Sequence, residues 1–107
     1  MYDVRLTVGI ELRGDGLPLH PTERDAGVVA IQEAALSAFG GYTAIPGVGA
    51  WQDPAGRIHA ENSITIDIAT DDPDTEAKAH ALAVLARDAM HQQAVLLRVT
   101  TTRGQFV

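Results

Sequence analysis

The sequence predicts an α+β domain of ferredoxin-like type, a four-stranded antiparallel sheet with two helices on one face, in the order βαββαβ. Three observations carry this. An eleven-residue stretch at the start alternates apolar and polar residues, two later segments keep helical spacing, and Asp53-Pro54-Ala55-Gly56 marks a hairpin between two further alternating runs. With right-handed crossovers, the first and third strands form the central pair and both helices lie on one side.

The first strand is the clearest element. Tyr2, Val4, Leu6, Val8, Ile10 and Leu12 alternate with Asp3, Arg5, Thr7, Gly9 and Glu11, which describes a strand with one buried and one polar face. Arg13-Gly14-Asp15-Gly16 breaks the pattern. A helix is expected from Thr22 to Phe39, with Thr22 and Asp25 as a capping pair. Val28, Ile31, Ala35, Ala38 and Phe39 form its buried stripe, and Gly40-Gly41 ends it. The hairpin arms are expected at Gly47–Gln52 and Arg57–Ala69, with Asn62 interrupting the apolar set as a buried amide or a bulge. A second helix follows, capped by Asp72 before Pro73, running to Gln92 and burying Ala81, Leu82, Leu85 and Ala89. The last strand is placed at Ala94–Thr101.

At 107 residues the chain reads as a single domain, residues 1–107. Its five aromatics and seventeen alanines make a light core, the kind that gains stability by self-association, so a homodimer or higher oligomer is expected. The net charge of −6 and the scattered basic residues argue against direct nucleic-acid binding, which needs a basic stripe. Without cysteine there is no disulfide and no thiolate metal site. No apolar run is long enough to span a bilayer, and the first residues lack the pattern of a signal peptide, so no membrane association and a cytoplasmic location are expected.

Two helices leave the second sheet face uncovered, and strand parity says what it displays. The first strand contributes Asp3, Arg5, Thr7 and Glu11; the third contributes His59, Glu61, Ser63, Thr65 and Asp67; the last adds Leu96, Arg98 and Thr100. The turn decides where Trp51 points. A three-residue loop closed by a glycine bulge pairs Asp53 with Arg57 and sets Trp51 opposite His59 on the open face, whereas a four-residue loop would send the indole into the core. The first register is favoured. Gly47 and Gly49 then leave a bare strip of backbone beside the indole.

This gives a candidate binding surface of Arg5, Thr7, Gly49, Trp51, His59, Glu61 and Arg98, and the leading expectation is a non-enzymatic homodimeric binding protein that uses it. The surface fits a self-complementary dimer interface, or a groove in which Trp51 stacks on a flat group while Arg5 or Arg98 meets a small anionic ligand. His59 and Glu61, two apart on one strand, are the alternative catalytic reading as a general acid/base pair of a small dimeric α/β-barrel-type enzyme, although the spacing is common by chance and cross-strand pairing is the favoured explanation. An acidic decoy is a third reading. No cofactor and no metal is expected: His80 and His91 are three helical turns apart, and the Asp71–Glu76 acids lack the glycine and terminal acid of a calcium loop. The glycines near Gly40 and Gly47 match no phosphate-binding fingerprint, and Ser37 and Ser63 lack the context of a nucleophile.

Gly40-Gly41-Tyr42-Thr43, Gly49-x-Trp51, Gly56 and Glu61 together resemble a core pattern of small uncharacterised proteins of phages and high-GC bacteria. The resemblance spans Gly40 to about Ile68. It implies a mobile-element setting, in which counter-defence is a role and a host signalling nucleotide or a defence protein a target; it carries over no catalytic residue. One lysine against seven arginines fits a GC-rich source.

Overall fold

The computed structural model describes Met1–Val107 and contains β1 (Tyr2–Gly9), α1 (Pro21–Phe39), β2 (Thr43–Gln52), β3 (Ile58–Thr70), α2 (Thr75–Ala89) and β4 (Leu96–Thr101). The sheet order is β2-β3-β1-β4 and every neighbouring pair is antiparallel, so the first and third strands are central and the fold is ferredoxin-like. No helix is long and apolar enough to cross a membrane.

The even-numbered residues of the central strands meet the helices. Val4, Leu6 and Val8 of β1 and Ile66 and Ile68 of β3 are buried against Ile31 and Ala35 of α1 and Ala79, Leu82, Ala83 and Ala86 of α2. Alanines dominate the α2 side of this contact, so helix and sheet approach closely without large side chains between them.

Several boundaries differ from expectation, each for a local reason. β1 ends at Gly9 rather than Leu12, because the Leu12 amide donates to Glu61 Oε2 (3.0 Å) and Leu12 makes only an isolated bridge to Pro18. α1 begins one residue early, at Pro21. His20 is its cap, with Nδ1 accepting from the Thr22 amide (3.1 Å), and the Thr22–Asp25 capping pair does not form. Gly40 closes α1 at φ 80° with its amide on the Leu36 carbonyl (2.8 Å). Asp72 acts before α2 rather than on it. Its Oδ1 accepts from the Asp74 amide (2.8 Å), and it contacts Lys78, whose ammonium holds the Asp72 carboxyl below its ordinary range.

The buried stripe of α2 is Thr75, Ala79, Leu82, Ala83 and Ala86, continued by Met90, so Ala81 and Leu85 lie outside it. The helix stops at Ala89 because His91 takes φ 52°. The Gln92 amide group then turns back to donate to the carbonyls of Leu12 (2.6 Å) and Met90 (3.0 Å). β4 begins at Leu96, two residues later than expected, and Asn62 is neither buried nor bulged: it pairs with Val48 in an unbroken register, with its amide on the Glu11 carboxylate.

β2 and β3 extend as a two-stranded arm past the end of β1, whose last partner is Ser63. The helices do not cover this arm. Val48 is 79% exposed and Ile58 74%, on the side of the sheet that elsewhere faces the core.

Candidate functional site

The tip of the arm is built by its turn. The Asp53 amide donates to the Arg57 carbonyl (2.9 Å), the Gly56 amide to the Asp53 carbonyl (2.9 Å), and Gly56 takes φ 85°, the glycine-bulge loop expected from the sequence. That loop pairs Trp51 with His59 and places both on the open face. Their rings stack with centroids 4.3 Å apart and 20° between planes.

Asp53 turns this stack into a fixed corner. Its Oδ1 accepts from the amides of Ala55 and Arg57 (2.9 Å each), while Oδ2 accepts from His59 Nε2 (3.0 Å) and Arg57 Nε (3.2 Å). A carboxylate offers only acceptors, so His59 must carry its proton on Nε2 here, which leaves Nδ1 free. The bond from His59, followed by the Arg57 amide and the Arg57 charge, lowers the Asp53 pKa from 3.8 to about 2 despite partial desolvation.

The sign of the consequence is definite. The unfolded carboxyl takes up its proton near pH 3.8 while the folded one resists until about pH 2, so Asp53 contributes stability above that window and loses it as the pH falls through it. Asp72 titrates in the same direction, so the comparison that isolates Asp53 is with Asp53→Asn. Thermal melts at successive pH values should show the wild type more stable than the variant near neutrality, with the gap closing between about pH 4 and pH 2. A gap constant across that range would show the carboxylate is not held as described.

Beside the corner lies a recess of about 470 Å³, lined by Trp51, Asp53, Pro54, Arg57, His59 and Gln93 and closed on one side by the loop Gly14-Asp15-Gly16-Leu17. That volume lies within the range of small-molecule sites. The loop sits close: a Cβ built on Gly16 would be 3.6 Å from His59 Cε1, and Gly16 itself needs φ 83°. Charges around the recess are mixed, with Arg57 on Asp53 and Arg13 3.8 Å from Asp15.

Strand pairing puts Arg5, Thr7, Gly49, Trp51, His59, Glu61 and Arg98 all on the open face, but not in one place. Arg5 pairs across the sheet with Asp67 and Arg98, eight positions along β3 from His59, which is roughly 27 Å at the rise of a strand. Neither arginine can therefore serve a ligand held at Trp51; Arg57 is the cation that borders it. Thr7 lies toward the Arg5 end, opposite Thr65, two positions along β3 from Asp67, its hydroxyl bonded to that of Thr65 (2.9 Å).

His59 and Glu61 are likewise not a working pair. His59 is engaged by Asp53. The Glu61 carboxylate is folded over Gly9, where a Cβ would come within 2.4 Å of Oε1, and is fixed by the Leu12 amide. The bare strip holds at Gly49, where a Cβ would meet nothing within 4 Å, but not at Gly47, where a Cβ would lie 3.2 Å from the Ser63 hydroxyl. Several acids, including Asp25 with Arg24, Asp88 with Arg87 and Glu23 with His91, have cationic partners, which counts against the free carboxylates a decoy would present.

Sequence reasoning missed Asp53, Arg57, Gln93 and the Gly14–Leu17 loop. Asp53 was legible only as a turn former; its second role arises because the turn folds its carboxylate back onto a residue six positions on. Arg57 had a signal, being the pairing partner of Asp53 in the favoured register. Gln93 and the loop had none, because both arrive from other elements.

No family model matches the chain, and no curated protein matches it by sequence. Solved structures do share its fold. A phage SAM lyase in complex with S-methyl-5′-thioadenosine superposes with a TM-score of 0.68 at 20% identity, covering 92% of this chain and 79% of that one. The apo state of a phage SAM lyase gives the same TM-score at 18% identity, covering 92% and 78%. The periplasmic divalent cation tolerance protein CutA from Archaeoglobus fulgidus gives 0.56 at 11% identity, covering 98% and 88%. At these identities the likeness is one of fold.

Proposed function

We propose that this chain binds S-adenosylmethionine, a purine nucleoside with a sulfonium at its 5′ position, at the Trp51–His59 corner and cleaves it: the bond between the sulfonium sulfur and the amino-acid chain breaks as that chain's own carboxylate oxygen displaces the sulfur, so the products are the neutral thioether S-methyl-5′-thioadenosine and the four-carbon amino-acid lactone. The observation that carries the reading is the fixed aromatic stack beside a recess of about 470 Å³ on a sheet face that no helix covers. A flat base gains from stacking on such a surface, and His59 Nδ1, Gln93 and the backbone of the Gly14–Gly16 loop offer hydrogen-bonding groups around it. The mixed charge of the recess suits a ligand that carries both signs, as S-adenosylmethionine does with its sulfonium, ammonium and carboxylate, better than the anion expected from the sequence. The shared fold with a SAM lyase that holds S-methyl-5′-thioadenosine supports the choice of ligand class.

The test is direct. The purified protein is incubated with S-adenosylmethionine, and the nucleosides are separated by chromatography. Loss of S-adenosylmethionine with matching appearance of S-methyl-5′-thioadenosine is the expected result. Calorimetric binding of either compound without turnover would reduce the role to sequestration, and neither heat nor product would overturn the reading. In a phage setting, removal of the host's methyl donor is a form of counter-defence.

A second copy of the chain is the partner we assign to the arm. Val48, Ala50, Ile58 and Ala60 are exposed there on one side of a strand pair, and β2 presents a free edge. A long apolar edge of this kind is stable in water when another chain covers it. Val48→Glu should lower the mass seen by light scattering toward that of one chain while leaving the circular dichroism spectrum unchanged. A wild type that is already monomeric at high concentration would refute the assignment.

A further inference from the structure

A second cavity lies at the opposite end of the sheet, about 380 Å³ in volume, where α1 turns into β2. Its wall includes Gly40, Gly41, Tyr42 and Thr43, the glycine-aromatic run that stood out in the sequence, together with Phe39, Asp67 and Phe106. The Trp51 corner does not use any of these residues. We propose that this cavity binds a small methylated organic cation, a quaternary ammonium or a sulfonium head group.

Three features point to that chemistry. The first is aromatic density. Only six side chains in the protein carry a phenyl, phenol or indole ring or lie beside one in a stack, and three aromatic residues, Phe39, Tyr42 and Phe106, line this single cavity. Phe106 is 75% exposed. It is delivered by the tail after β4, which passes the start of β1 on the way, with the Thr102 amide on the Met1 carbonyl (2.8 Å) and Gly104 against the Met1 side chain. Aromatic rings around an alkylated cation are the recurring solution for a group that is charged yet too apolar for strong hydration.

The second feature is a carboxylate in the wall, Asp67. Arg5 is the cation shared by Asp3 (3.4 Å) and Asp67 (3.8 Å), so one guanidinium serves two carboxylates. The Asp67 carboxyl is pushed up, chiefly by desolvation and then by its hydrogen bond and charge repulsion with Asp3. A cation in the cavity that Asp67 lines would relieve that repulsion.

The third feature is space. A Cβ on Gly40 or Gly41 would meet nothing within 4 Å. Gly40 is explained by its φ of 80°; Gly41 lies outside the left-handed region, and its lack of a side chain leaves this corner of the cavity open.

The test is an amide-detected NMR titration of the full chain at matched ionic strength with choline, with trimethylsulfonium, and with 3,3-dimethyl-1-butanol, the neutral isostere of choline. Choline and trimethylsulfonium should move the amides of Gly40, Gly41 and Thr43, with the alcohol much weaker and the Trp51 indole N–H unmoved. A response to one cation alone would fix whether the site takes ammonium or sulfonium. Phe106→Ala and Asp67→Asn, at an exposed and a partly exposed position, should each weaken binding by about fivefold or more. Equal binding of the alcohol, no shift with either cation, or undiminished binding in both variants would overturn the proposal. None of these probes contains a nucleoside, so the outcome is independent of whether S-adenosylmethionine binds at Trp51.

Discussion

Trp51→Ala is expected to weaken nucleoside binding by about fivefold to a hundredfold, the range that follows from losing one base–aromatic stack of about 1–3 kcal/mol. The indole does two things at this corner. It offers a flat apolar surface, and it holds the imidazole of His59 at 4.3 Å, so its removal both deletes a contact and frees a ring that only Asp53 would then restrain. Trp51→Phe separates the two effects: a phenyl ring restores a surface to stack on, and binding should recover most of the way. The measurement is a calorimetric or fluorescence titration with S-methyl-5′-thioadenosine, paired with thermal melts to show that both variants are folded. Undiminished affinity in Trp51→Ala would place the ligand elsewhere.

The largest effect on stability is expected from Ile66→Ala, at about 2–5 kcal/mol. Ile66 is fully buried on a central strand, paired with Leu6 on one side and Ala44 on the other, and faces the helices. Removing three carbons there leaves a void that rigid neighbours on a sheet cannot collapse to fill. Ile45→Ala is the matched control, since Ile45 is 45% exposed on the adjacent strand and its truncation should cost well under half as much. Chemical denaturation of the two variants under one set of conditions gives the comparison. Equal losses would mean that the core does not lie where the burial places it.

Much of the architecture was legible because the decisive signals are local. Alternation from Tyr2 to Val8 fixes one face of β1, and Asp53-Pro54-Ala55-Gly56 has a single economical conformation, which sets the register and the direction of the indole. The face of α2 was not legible for an equally physical reason. Alanine occurs all around that helix, so periodicity cannot tell the buried Ala79, Ala83 and Ala86 from the exposed Ala81, and the choice is made by contact with the sheet.

The candidate site divides the same way. Parity correctly sorted Arg5, Trp51, His59, Glu61 and Arg98 onto one surface. It could not say how far apart they lie along the strands, and a recognition patch drawn from face alone merged two ends of the sheet. The role of Glu61 escaped for another reason: it depends on Gly9, a neighbour on a different strand whose lack of a side chain admits the carboxylate.

The arm that carries Trp51 and His59 projects past the end of β1, beyond the residues that make the hydrophobic interior. Changes at its tip therefore leave that interior unaltered, and Asp53 is the tip residue whose carboxylate contributes to stability. Such a scaffold can exchange the residues at its tip without repacking its framework.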